Sequence, residues 1–271
     1  MYHNHSVLSK CPPPNSRRSL RFLQAGAAQV FISSRKASAC DAACTALNAL
    51  PNLSANARAI SCPADSSSLD GVKSLLEQVR KHTDHVDILL ANAGATWGEG
   101  FDTHPDSAIA KVLDLNVRAV FNTIREFAPL LEKNAKLDDP SRVIITASTA
   151  GLAVGTLGPQ ATYGYAASKA AVIALGRNLA VELGPRHMTV NSICPGFFPS
   201  KMTHGIFELA GGEARLAEGN PMGRLGRPED IAGAVVYLAS RAGSHVNGEA
   251  IAIDGGSVWQ RGELSSVESK L

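Results

Sequence analysis

Val86-Asp87-Ile88-Leu89-Leu90-Ala91-Asn92-Ala93-Gly94 is an apolar run closed by a turn-forming tripeptide, and it reads as a strand whose two faces are both apolar. Working outward, short apolar runs of the same kind recur at Gln29 to Ser33, Arg58 to Pro63, Val143 to Ala147, Thr189 to Ile193 and Ala250 to Ile253. Helical stretches lie between them: an alanine-rich one ending near Leu50, then Leu69 to His82, Asp106 to Glu132, the helix holding Tyr165 up to Gly184-Pro185, and Pro228 to Ser240. Leu20 to Ala25 reads as the last turns of a helix stopped at Gly26. Strands apolar on both faces and separated by helices predict an α/β fold in a single domain, a Rossmann-like doubly wound parallel sheet. In such a sheet ligands sit at the carboxyl ends of the strands.

Composition narrows the function. With 271 residues, 45% hydrophobic and 18% charged, the chain has the make-up of an ordinary soluble domain. Its net charge of +2 is spread out, which excludes a nucleic-acid footprint. The five cysteines, Cys11, Cys40, Cys44, Cys62 and Cys194, are odd in number and form no CxxC pair, so neither a disulfide framework nor a zinc site is expected. His3 and His5 have no third ligand nearby, and no metal is expected. No apolar run reaches the roughly 18 residues of a membrane span, and the start lacks a secretory signal's apolar core. The first acid is Asp41, but Cys11-Pro12-Pro13-Pro14 is incompatible with the amphipathic helix of a transit peptide, leaving a cytoplasmic expectation.

The strand ends carry Ser33-Ser34-Arg35-Lys36, Asp65, Asn92-Ala93-Gly94, Ser148 and Pro195-Gly196. Each alone is an ordinary turn or cap. Thr162-Tyr163-Gly164-Tyr165-Ala166-Ala167-Ser168-Lys169 opens a helix and sets Tyr165 and Lys169 four residues apart on one face. A charge about 4 Å away, in an effective dielectric of about 20, is worth about 4 kcal/mol, so the lysine is expected to lower the phenol's pKa by about three units.

Taken together, Asn92-Ala93-Gly94, Asn116-Val117, Ser148, Tyr165-x-x-x-Lys169, Pro195-Gly196, Gly226-Arg227-Pro228-Glu229-Asp230 and Asp254-Gly255-Gly256 make the chain resemble the short-chain dehydrogenase/reductase family over roughly residues 20 to 258. The resemblance implies Tyr165 as acid/base, Lys169 as its pKa-lowering partner that also holds the nicotinamide ribose, Ser148 as the hydroxyl that orients the substrate carbonyl, and Asn116 as holder of a proton-relay water. It further implies that Asn92, Gly94, Pro195 and Gly196 line the cofactor, that Asp65 meets the adenine and that Ser200 holds the carboxamide. Ser148 precedes Tyr165 by 17 residues, more than the family usually has, so Thr149 and Thr146 are alternatives for its role. The second strand ends with Ser34, Arg35 and Lys36 and no acid, which favours NADP(H) over NAD(H). Phe197-Phe198-Pro199-Ser200-Lys201-Met202 is similar to the substrate loop of reductases acting on 3-oxoacyl thioesters, including the rhamnolipid-pathway branch. A homodimer or homotetramer through the Asp106 and Tyr165 helices is implied as well.

One expected part is missing. The family's first strand and its Gly-rich turn belong immediately before Leu20, yet the residues there include three successive prolines, and the first glycine is Gly26. Residues 1–19 are therefore expected to be an irregular leader, 20–262 a domain incomplete at its N-terminus, and 263–271 a tail. Either the domain folds poorly or residues 5 to 12 supply a makeshift strand; in function, the resemblance implies an NADP(H)-dependent reductase of a ketone to a secondary alcohol, the alternative being a truncated remnant that binds cofactor poorly and serves at most as a partner subunit.

Overall fold

The apolar run becomes β4 (Ile88–Ala91), all four residues buried in the middle of a parallel sheet. The computed structural model describes residues 4–9, 23, 26–51, 53–199 and 212–260. Its other strands are β1 (Asn4–Ser9), β2 (Ala27–Ser33), β3 (Arg58–Ser61), β5 (Ser141–Thr146), β6 (Met188–Pro195) and β7 (Ala250–Ile253). All pairings are parallel, in the order β3-β2-β1-β4-β5-β6-β7. The direction of winding reverses between β1 and β4, and a crevice at the carboxyl ends follows from that reversal.

Side chains of β4, β5 and β6 alternate between two cores. Leu89, Val143, Ile145 and Val190 face one, packed under α2 (Leu69–Arg80), α4 (Ala119–Glu132) and α5 (Tyr163–Leu183). Ile88, Leu90, Ile144 and Ile193 face the other, under α1 (Ala37–Asn48) and α7 (Pro228–Ala239). A short α6 (Glu213–Glu218) lies between α5 and α7 in the chain.

Two expectations are corrected. Residues 1–19 are not an irregular leader throughout: Asn4–Ser9 form an interior strand between β2 and β4, overlapping the makeshift strand expected within residues 5 to 12, with Val7 pairing with Phe31 on one side and Leu89 on the other. The three prolines begin at Pro12, after the strand, so residues 4–9 keep every backbone donor, and the facing ladders of β2 and β4 accept an extended segment with little regard to its side chains. The prolines themselves, and the place where a Gly-rich turn would stand, lie outside the described residues. So do the expected boundary at 262 and the tail 263–271. Secondly, the long helix from Asp106 to Glu132 is interrupted: α3 (Asp106–Leu113) passes through a π turn at Asp114–Arg118 before α4. Gly26 stands where a helix stop is expected, at φ 102°, its N–H donating to Leu23 O at 3.2 Å.

Candidate active site

Tyr165 and Lys169 lie in the first turns of α5, which starts at Tyr163 beyond the Thr162 cap. Ser148 follows β5, its side chain accepting from Ala150 N–H at 3.2 Å and so opening a 3-10 turn at Thr149–Gly151. The 3-10 turn rests on α5 so closely that a Cβ on Gly151 would fall 2.5 Å from the carbonyl carbon of Lys169. This packing sets Ser148 beside Tyr165, close enough for its hydroxyl to act on the phenol. The alternatives turn elsewhere: Thr149 Oγ1 donates to Pro195 O at 3.3 Å, and Thr146 Oγ1 to Asn92 Oδ1 at 2.9 Å.

The electrostatics differ from the expectation. Tyr165 is half-buried, and burial pushes its phenol above the ordinary value, with the Ser148 hydroxyl opposing and the neighbouring Cys194 adding to the rise. The expected lowering by Lys169 does not dominate. The ammonium lies 5.5 Å from the Tyr165 ring centroid and donates to Thr146 O at 2.7 Å, so its charge is shared with a carbonyl. Cys194, fully buried beside Ser148, has its thiol pushed up to about 11 by burial.

Asn116 sits in the π turn, 1% exposed. Its Oδ1 accepts from Ala95 N–H at 2.8 Å, and its Nδ2 donates to Ala95 O and to Ser168 Oγ, both at 2.9 Å. Ser168 Oγ in turn donates to Tyr165 O at 2.7 Å. Asn116 thus ties the loop after β4 to the first turn of α5. Gly94 occupies the gap between them: a Cβ there would lie 3.2 Å from Asn116 Oδ1 and 3.6 Å from Lys169 Nζ. Ser168 was visible in the sequence only as part of the Tyr165 run, and Gly151 only as one glycine of a loop; neither has a sequence signal for its role.

The other predicted positions line the same edge. Gly196 N–H donates to Ile253 O at 3.1 Å, and a Cβ there would meet Asp254 Cβ at 2.6 Å, so Pro195-Gly196 packs against the end of β7. Of the two phenylalanines beyond, Phe198 packs into the core against Gly226, while Phe197 remains 42% exposed. Asp65 Oδ1 accepts from Ser67 N–H at 3.0 Å and from Ser67 Oγ at 2.7 Å, and these bonds hold its carboxyl below the usual range. Ser34 is turned into its own loop, Oγ donating to Lys36 O at 3.2 Å, whereas Arg35 and Lys36 are exposed. Ser200 lies outside the described residues. Among the described residues no cluster of three or more potential metal ligands occurs, and no helix is long and apolar enough to cross a membrane.

A family model described as Enoyl-(Acyl carrier protein) reductase matches residues 19–258. The chain is 42% identical over 234 residues, 86% of its length and 88% of the relative's, to the rhamnolipids biosynthesis 3-oxoacyl-[acyl-carrier-protein] reductase of Pseudomonas aeruginosa. It is 34% identical over 191 residues, 70% of its length and 73% of the relative's, to the 3-oxoacyl-[acyl-carrier-protein] reductase FabG of Thermotoga maritima. Among solved structures, the Pseudomonas aeruginosa RhlG/NADP active-site complex superposes with a TM-score of 0.83 at 37% identity, covering 94% of this chain and 96% of that one.

Proposed function

Because the chain belongs to the short-chain dehydrogenase/reductase family, we propose that it reduces a ketone to a secondary alcohol with NADPH, and that the ketone is the 3-oxo group of an acyl thioester. The observation that carries this reading is the meeting of Ser148, Tyr165 and Lys169, the buried ammonium lying 5.5 Å from the Tyr165 ring centroid and the Ser148 hydroxyl close enough to act on the phenol. A carbonyl oxygen that accepts from both hydroxyls is polarised before reaction, and Tyr165 then supplies the proton the forming alkoxide needs. Burial favours that direction, since it keeps the phenol protonated at neutral pH. Bound cofactor would supply hydride to the carbonyl carbon.

The residues fit that cofactor at both of its ends. At the adenosine end, Arg35, Lys36 and the first N–H groups of α1, which has no acid in its first turn and no side-chain cap, suit a 2′-phosphate. Toward the nicotinamide, Gly94 and Gly196 are packed too closely to carry a side chain and present backbone, and Asn92 and the Lys169 ammonium are assigned to the same end. Asp65 is assigned to the adenine rim and Asn116 to positioning of the Lys169 end, with a relay water as its further role; Ser200 keeps its expected place at the carboxamide. The 3-oxoacyl assignment draws on the names of the Pseudomonas and Thermotoga relatives and on the exposed Phe197.

The test is a titration with NADPH followed by nicotinamide fluorescence, then NADPH oxidation with acetoacetyl thioester. Micromolar binding and turnover are expected; no binding at millimolar cofactor overturns the reading. In that case a second reading gains: a cofactor-impaired subunit that pairs with its own kind. The lack of any glycine between Ser9 and Gly26 favours it, because a close backbone approach to the pyrophosphate calls for glycine. Either way, a homodimer or homotetramer through the α3–α4 helix and α5, in the cytoplasm, is the proposed state, checked by light scattering of the purified protein.

A further inference from the structure

The loop that follows β2 is braced from below by a thiol. Cys40, in the first turn of α1, is fully buried, and its Sγ lies 3.2 Å from Ser34 Oγ and 3.7 Å from Ser34 O. Ser34 Oγ also lies 3.2 Å from Lys36 O, and Ser34 O accepts from Ala64 N–H at 3.1 Å. One assignment of protons satisfies every contact: the Ser34 hydroxyl donates to Lys36 O, while the Cys40 S–H donates toward Ser34 Oγ and O. Ser34 is thereby joined at once to its own turn, to α1 and to the segment after β3. Arg35 and Lys36, both exposed, project from the short arc so held, and Lys36, the cap of α1, makes no side-chain cap bond of its own.

We propose that Cys40 is a specificity-determining positioning residue: fixed against Ser34, its thiol sets the direction in which Arg35 and Lys36 are presented, and with it the preference for a 2′-phosphorylated adenosine. The inference rests on the NADPH reading of the preceding subsection. Cys40 touches neither the ligand nor the reacting atoms, so its removal acts on discrimination and leaves the proton-transfer end unchanged. A buried thiol suits the task because it fills apolar space between α1 and the sheet and still offers one weak donor.

Calorimetric titration with adenosine 2′,5′-bisphosphate and with 5′-AMP tests this without turnover. The wild-type chain is expected to bind the bisphosphate more tightly. Cys40→Ala should lose about fivefold on the bisphosphate, the equivalent of one net hydrogen bond, with 5′-AMP unchanged. Cys40→Ser should recover most of the loss. Cys44→Ala, which removes another buried thiol one turn along α1, should stay within about twofold on both ligands. If the alanine variant does not fold, Cys40→Val fills the volume without a donor and should show the same selective loss. Variants that keep the wild-type preference, that weaken both ligands equally, or that are matched by Cys44→Ala overturn the role of Cys40 alone. A wild-type chain with no preference for the bisphosphate overturns the NADPH reading at its adenosine end, and the inference with it.

Discussion

Replacing Gly151 by alanine adds one methyl group between the 3-10 turn that carries Ser148 and the helix that carries Tyr165. The new Cβ would stand 2.5 Å from the Lys169 carbonyl carbon and 2.7 Å from Lys169 O and Ala170 N, all backbone atoms of α5 that no side-chain rotation removes. Ordinary contact begins near 3.4 Å, so the turn must retreat from α5 by about 0.9 Å. Ser148 caps that turn and moves with it, so a shift of this size carries its hydroxyl away from Tyr165 and from a carbonyl held between the two. Misplacement by about 1 Å costs about a hundredfold in rate, and overpacking costs about 1–3 kcal/mol of stability. The assay is reduction of an acetoacetyl thioester by folded G151A, with urea unfolding and adenosine 2′,5′-bisphosphate affinity measured alongside. kcat should fall about a hundredfold while the adenosine end, at the far side of the sheet, binds as before. A variant that loses stability but keeps kcat within about twofold would refute the claim that this contact sets the Ser148–Tyr165 geometry.

Tyr165→Phe keeps the ring and removes the proton, so kcat should fall by about 10²- to 10⁴-fold with NADPH affinity little changed; retained turnover in a stopped-flow assay would assign the proton to another group. Burial raises the Tyr165 pKa, so the acid form persists through neutral pH and the reduction rate should hold level until the pH passes the ordinary phenol value of about 10. A decline centred near pH 7 would mean that Lys169 governs the phenol after all. By the same sign, the folded state binds the Tyr165 proton more tightly than the unfolded chain; this contribution to stability is complete below pH of about 10 and is lost as pH rises through the folded value, which urea unfolding across that range would register. Asn116→Ala orphans the N–H and C=O of Ala95 and should cost about 3 kcal/mol in chemical unfolding; a loss under about 1 kcal/mol would mean that water replaces the amide.

Much of the fold was legible because each buried strand announces itself by uninterrupted apolar residues. Ala250–Ile253 has the predicted limits, and the strands around Val86, Val143 and Thr189 differ only at their ends. β1 was not legible. Asn4-His5-Ser6-Val7-Leu8-Ser9 has no alternation to read, and its place is dictated by the neighbouring ladders, a tertiary cause that local pattern does not record. In the candidate site, residue types and order were readable from strand ends, whereas the balance of charges was not. Whether Lys169 or burial rules the Tyr165 phenol depends on which way the ammonium turns, and Thr146 O, 23 residues earlier, decides that. The role of Gly151 likewise depends on a packing distance that spacing alone cannot give.

The π turn at Asp114–Arg118 has a consequence for the phase of the helix it interrupts. Ala108, Val112, Asn116, Val120 and Ile124 are all buried, a recurrence at every fourth residue. A plain α-helix advances about 100° per residue, so each step of four overshoots a full revolution by about 40°, and the outermost pair would diverge by about 160°. The wider turn absorbs part of that drift. Forcing the same residues into a regular helix, with none removed, would swing α3, whose Ile109 backs the Gly164 turn, by about 100° against the core face of α4. The alignment between the Tyr165 end of the molecule and its interior therefore depends on the π turn taking up one supernumerary residue, and a helix one residue shorter would keep that alignment without it.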